Sequence, residues 1–143
     1  MIEYQKILDK NMLNVLKDIL KDIRDNGLSN NNHLYITFLT NHKNVELPNW
    51  LKQKYPQEMT IIIQYEYYDL EINKNNFSIT LSFGDIKTNL KINYNAIVSF
   101  ADPSANFGLI LQKSNIRNKE NKKLENNKSK KDNVINFENY KKY

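Results

Sequence analysis

This 143-residue chain has no cysteine. That excludes a disulfide framework, a thiolate nucleophile and any metal site built from Cys. Glycine and proline are scarce too, three of each. The glycines are scattered, so no Gly-rich phosphate cradle, no G-x-S-x-G elbow and no dinucleotide-binding fingerprint is present. Only two histidines occur. His33 opens a strand-like run and His42 lies in a polar turn, and neither belongs to a cluster with metal-ligand spacing. No apolar run reaches the length of a membrane span, and no apolar leader core follows the first residues. The cytoplasm is therefore the expected setting. Asp69 and Glu71 form the nearest approach to a carboxylate pair, yet alternate residues of one strand usually share a solvated face. Asp85 and Asp102 fall in turns, where Asp bonds the backbone. With no nucleophile, base and orienting group to combine, the reading is a protein that is not an enzyme and needs no metal or cofactor.

What the chain does have is a net charge of +5, and its location matters more than its size. Residues 1–112 carry 11 Lys or Arg against 12 Asp or Glu, whereas residues 113–132 carry 8 against 3. The body is nearly neutral and the basic excess belongs to the tail. A nucleic-acid-binding fold concentrates cations on one face of the domain itself, so the run reads as a solvated linker.

Tyr4 to Arg24 is predicted to be an amphipathic helix. Leu8, Met12, Val15, Leu16, Ile19, Leu20 and Ile23 recur at steps of three and four, and Gly27 is placed to stop it. The stripe fits two roles: capping the core of its own domain, or forming part of a dimer contact. Strand-like runs follow at His33–Thr40, Met59–Tyr67, Leu70–Ile72, Phe77–Phe83, Lys87–Tyr94, Ala96–Ala101 and Phe107–Leu111. The unbroken apolar start of the second run points to burial on both faces. Asn49 to Tyr55 reads as a short helix with Asn49 as its N-cap, and Gly84-Asp85 as a tight turn. The predicted class is α+β, mainly β: an N-terminal helix and an antiparallel meander forming an open SH3/Sm-like barrel, followed by a disordered C-terminal tail.

Tyr65, Glu66, Tyr67, Tyr68 and Asp69 make a crowd of aromatics. Such residues stack single-stranded bases in small RNA-binding barrels, which leaves a small RNA-binding barrel with a basic tail as the alternative function. A groove for an extended peptide fits a neutral surface better. The tail itself regains apolar residues at its tip, Val134 to Tyr143 (VINFENYKKY), after a linker over 113–133. A solvated spacer has no cause to do so unless the tip docks on a partner. The linker would span on the order of 25 Å if flexible.

Three runs now carry a resemblance: Tyr55 to Leu70 (YPQEMTIIIQYEYYDL), Phe77 to Ile86 (FSITLSFGDI) and Ala96 to Leu109 (AIVSFADPSANFGL). Together with the first helix, His33 to Phe38 and the terminal VINFENYKK, they make the chain similar to the SspB family, stringent starvation protein B. More narrowly it resembles the alphaproteobacterial branch. The resemblance implies a homodimeric adaptor that binds ssrA-tagged peptides and docks on the N-terminal domain of ClpX to supply the ClpXP protease, with no membrane or nucleic-acid partner. It implies a peptide-binding and dimerisation domain over 1–112 and a ClpX-docking motif over 134–143. By analogy the peptide site takes Leu81, Phe83, Gly84, Asp85 and Ile86, with Val98, Phe100 and Ala101 alongside and Gln64 and Tyr65 added. ClpX docking takes Val134, Ile135, Phe137, Tyr140, Lys141 and Lys142. The dimer interface takes Leu8, Met12, Val15, Leu16 and Ile19.

Overall fold

A computed structural model describes residues 1–29 and 31–111. The linker and the docking motif, with Val134, Ile135, Phe137, Tyr140, Lys141 and Lys142, lie outside the described residues. The chain begins with α1 (Tyr4–Asn26), followed by β1 (Leu34–Leu39), α2 (Asn49–Lys54), β2 (Glu58–Ile63), β3 (Tyr67–Ile72), β4 (Asn76–Phe83), β5 (Ile86–Asn93), β6 (Ile97–Asp102) and β7 (Phe107–Ile110). The strands form two antiparallel sheets, ordered β2-β1-β6-β7 and β3-β4-β5. This is the expected α+β, mainly β class with open sheets. The meander is complete within β3-β4-β5. In the larger sheet β6 crosses back to lie beside β1, pairing Tyr35 with Ala101.

The two sheets share one core. Alternation puts Phe77, Ile79 and Leu81 of β4 inward beside Leu90 and Ile92 of β5, as a period of two requires. From the other sheet come Ile36, Phe38, Ile61, Ile63 and Phe100. α1 closes the core with Met12, Leu16, Leu20 and Ile23. Each fully buried aliphatic or aromatic side chain contributes about 1.5–3 kcal/mol of transfer free energy. Gly27 stops α1 at φ +80°, its N–H donating to the Ile23 carbonyl at 2.8 Å. That positive φ suits glycine because it has no Cβ.

Three local expectations are corrected. The Met59–Tyr67 run is not one strand: β2 ends at Ile63 and β3 starts at Tyr67. The bend between them lets the chain leave one sheet and enter the other, which a straight strand could not do. Nor is β2 buried on both faces. Met59, Ile61 and Ile63 are buried, while Thr60 and Ile62 are half-buried on the outer side. Finally, Asn49 does not cap α2. Pro48 holds the cap position with no side-chain capping bond, and its carbonyl accepts from the N–H groups of Leu51 and Lys52 at 3.1 and 3.2 Å.

Tyr94 gives the fold a measurable pH dependence. Its ring is buried beside Phe77, and Lys17 Nζ lies 4.7 Å from the ring centroid. Its hydroxyl donates to the Asn73 carbonyl at 3.3 Å. Burial disfavours the phenolate and pushes the pKa up to about 12. Because the folded value lies above the ordinary 10.0, the contribution to stability is intact below about pH 10 and is lost as pH rises towards 12. Tyr94→Phe is expected to flatten the fall in unfolding free energy across that window in urea titrations. An unchanged slope would contradict the assignment.

Candidate functional site

The β4–β5 hairpin gathers half of the residues assigned to the peptide site. Phe83 pairs with Ile86 across a two-residue loop of Gly84 and Asp85. Only Gly84 takes a positive φ, +68°, the pattern of a type II′ turn with glycine first. Leu81 is buried and forms the inner floor. Phe83 is half-buried and meets Trp50 of α2 edge to face, with centroids 6.2 Å apart. Ile86 is 56% exposed. An apolar lip of Phe83, Ile86 and the partly exposed Trp50 thus stands at the end of a polar hairpin. Lone exposed apolar residues are ordinary on a protein surface, but contiguous ones mark contact sites.

Gln64 and Tyr65 occupy the bend between β2 and β3. Tyr65 is 72% exposed, and the pairing of Tyr67 with Leu81 carries it towards the Phe83 end of β4. The remaining three residues belong to β6 in the other sheet. Val98 is half-buried where the β1–β6 register shifts, and its carbonyl accepts from the Leu111 N–H at 3.0 Å. Phe100 and Ala101 have no accessible surface. Phe100 packs 6.2 Å from Phe107, and Ala101 is paired on both sides, with Tyr35 and with Gly108. These two support the sheet, so a ligand could reach them only if the sheet opened.

Sequence reasoning passed over Trp50 and Lys87. Trp50 is the single tryptophan of the chain and sits on a short exposed helix, a signal that was there to read. Lys87 Nζ lies 4.3 Å from the centroid of the Tyr68 ring. That cation covers one face of the Tyr68 ring, on the neighbouring strand β3. Over residues 1–112 the 11 Lys or Arg are offset by 12 Asp or Glu.

The helix residues assigned to a dimer contact divide into two sets. Met12 and Leu16 are buried in their own core, Ile19 is half-buried, and Leu8 and Val15 are 42% and 39% exposed. Tyr4 and Ile7 extend the exposed set.

Among the described residues no group of three His, Asp or Glu side chains is placed to hold a metal ion. Among them, too, no helix is long and apolar enough to cross a membrane. The His33 Nδ1 is buried without a hydrogen-bond partner, and the His33 ring packs edge-on to Tyr35 at 5.4 Å.

No curated protein matches the chain. The family model of stringent starvation protein B matches residues 7–142, running from the first helix through every strand and on to the apolar tip. With nearly its whole length covered by that match, the chain belongs to the SspB family, a family of adaptors rather than enzymes.

Proposed function

We propose that the protein is an adaptor of the alphaproteobacterial SspB type, acting in the cytoplasm as a homodimer. It binds ssrA-tagged polypeptides at the β4–β5 hairpin and delivers them to ClpXP through its C-terminal tail. The observation that carries this reading is the family match, which takes in the body and the terminal apolar-basic segment alike. The neutral charge of the body and the apolar lip at Phe83, Ile86 and Trp50 support it.

The mechanism is multivalent capture. The body (residues 1–112) holds the tag, and residues 113–133 act as a tether. Val134, Ile135 and Phe137 supply apolar contact with the N-terminal domain of ClpX, with Tyr140, Lys141 and Lys142 beside them. Two weak contacts joined by a tether reinforce each other, because each raises the effective concentration of the other, by about 10²–10⁴ in overall avidity. Two tails per dimer add a second attachment.

The hairpin is tested by capture on an immobilised ssrA-type peptide. Intact protein is expected to be retained, and Ile86→Asp, which places a charge on the exposed lip without entering the core, to be retained at least about tenfold less. Equal retention of the two would remove the hairpin from the site. Failure of the intact protein to bind would remove the adaptor reading itself.

A further inference from the structure

We propose that the outer edge of β5 receives an extended peptide as an added antiparallel strand, with an acidic side chain of that peptide set beside Lys91. This deepens the adaptor reading and rests on it. The geometry starts from an isolated bridge. The Glu46 N–H donates to the Lys91 carbonyl at 2.9 Å, and the Lys91 N–H donates back to Glu46 at 3.1 Å. In an antiparallel strand the backbone groups of successive residues point to opposite sides. Those of Lys91 point away from β4, and so do those of Asn89 and Lys87. The hairpin register agrees, since a two-residue loop makes Phe83 and Ile86 a hydrogen-bonded pair. Ile86, Thr88 and Leu90 then bond to β4, and the odd-numbered residues face outward.

The ladder begun by Glu46 would next pair Pro48 with Asn89. Proline has no N–H to give, and the Pro48 carbonyl is already taken by Leu51 and Lys52 as α2 begins. The chain turns away into α2. What remains is a cleft of about 290 Å³ lined by Glu46, Leu47, Pro48, Asn89 and Lys91. Among the described residues none bonds to the outward backbone groups of Lys87 and Asn89. The opposite edge of the same sheet is closed to such pairing. β3 carries a bulge between Tyr68 and Glu71, with Asp69 at φ +51°, and α1 packs against that strand. Bulges and covering elements are how sheets block an edge, so β5 is the open one.

The side chains define the occupant. Lys91 projects on the outer face of β5, where a carboxylate of an added strand is favoured over a like charge, while Lys87 lies back over the Tyr68 ring, its Nζ 4.3 Å from the centroid. On the inner side an added strand meets Ile86 and Trp50. The fitting ligand is therefore an extended segment that carries an acidic residue among apolar ones and has no proline at its pairing positions.

Amide hydrogen exchange on the full chain, free and saturated with an ssrA-type peptide, tests this residue by residue. The Lys87 and Asn89 amides are expected to slow by about tenfold or more on binding, while the β3 amides stay unchanged. Asn89→Pro removes one outward N–H together with the Asn89 side-chain bond to Thr80, and Asn89→Ala, which loses the same side-chain bond but keeps the N–H, is its control; the proline variant is expected to hold the peptide about three- to tenfold more weakly than the alanine variant. A bound peptide that leaves the Lys87 and Asn89 amides unprotected overturns the added strand and spares the adaptor reading. No binding to the intact protein at any concentration overturns both.

Discussion

Val15→Asp is expected to give a folded monomer where the intact chain gives the mass of the proposed dimer, whereas Leu16→Ala, one residue along, is expected to cost about 2–5 kcal/mol of stability. The two residues sit roughly a quarter-turn apart on α1. Leu16 is fully buried and belongs to the inward row with Met12, Leu20 and Ile23. Truncating it leaves a cavity that the packed sheets cannot fill. Val15 is 39% exposed and shares an outward face with Tyr4, Ile7 and Leu8. That face turns polar towards the end of the helix, at Asp18 and Asp22. The apolar strip is thus confined to the first half of α1, where a second copy would bury it. A carboxylate placed there costs little in the monomer and a great deal in a dry seam, because an unpaired buried charge is expensive. Light scattering gives the mass, and urea denaturation gives the stability. A Val15→Asp protein that keeps the dimer mass would place the seam elsewhere.

That division of α1 shows where sequence reasoning reaches its limit. The steps of three and four identify the apolar residues of the helix, but periodicity does not say which partner each of them meets. Met12 and Leu16 were grouped with Leu8 and Val15 for that reason, and burial separates them. The strands of the small sheet were legible because β4 and β5 alternate cleanly, and a Gly-Asp turn fixes their register. The bend at Gln64–Tyr65 was not, since MTIIIQYEY is uniformly strand-forming and only the change of sheet breaks it. Phe100 and Ala101 carry the same ambiguity. An apolar residue in a strand looks alike whether it lines a groove or a core, and only the pairing of β6 between β1 and β7 puts these two inside. The open edge of β5 was invisible for a further reason. It depends on a single bridge from Glu46 to Lys91, between segments far apart in sequence, and on the position of one proline.

In the proposed adaptor the hairpin and the helix face serve capture and assembly, but delivery is what defines it. Removing residues 134–143 takes away Val134, Ile135 and Phe137, and with them Tyr140, Lys141 and Lys142, while leaving every described residue in place. In the proposed mechanism, at substrate concentrations well below saturation, tethering would account for most of the gain, on the order of 10²–10⁴ in effective affinity. The deletion should therefore have a larger effect on delivery than any single substitution in the body.

The most direct measurement is ClpXP degradation of an ssrA-tagged substrate at limiting concentration, with the full chain or the truncated chain added and peptide binding followed in parallel. Full-length protein should accelerate degradation. The truncated protein should still bind the peptide yet leave the rate at its unassisted value. Equal acceleration by both would contradict the account.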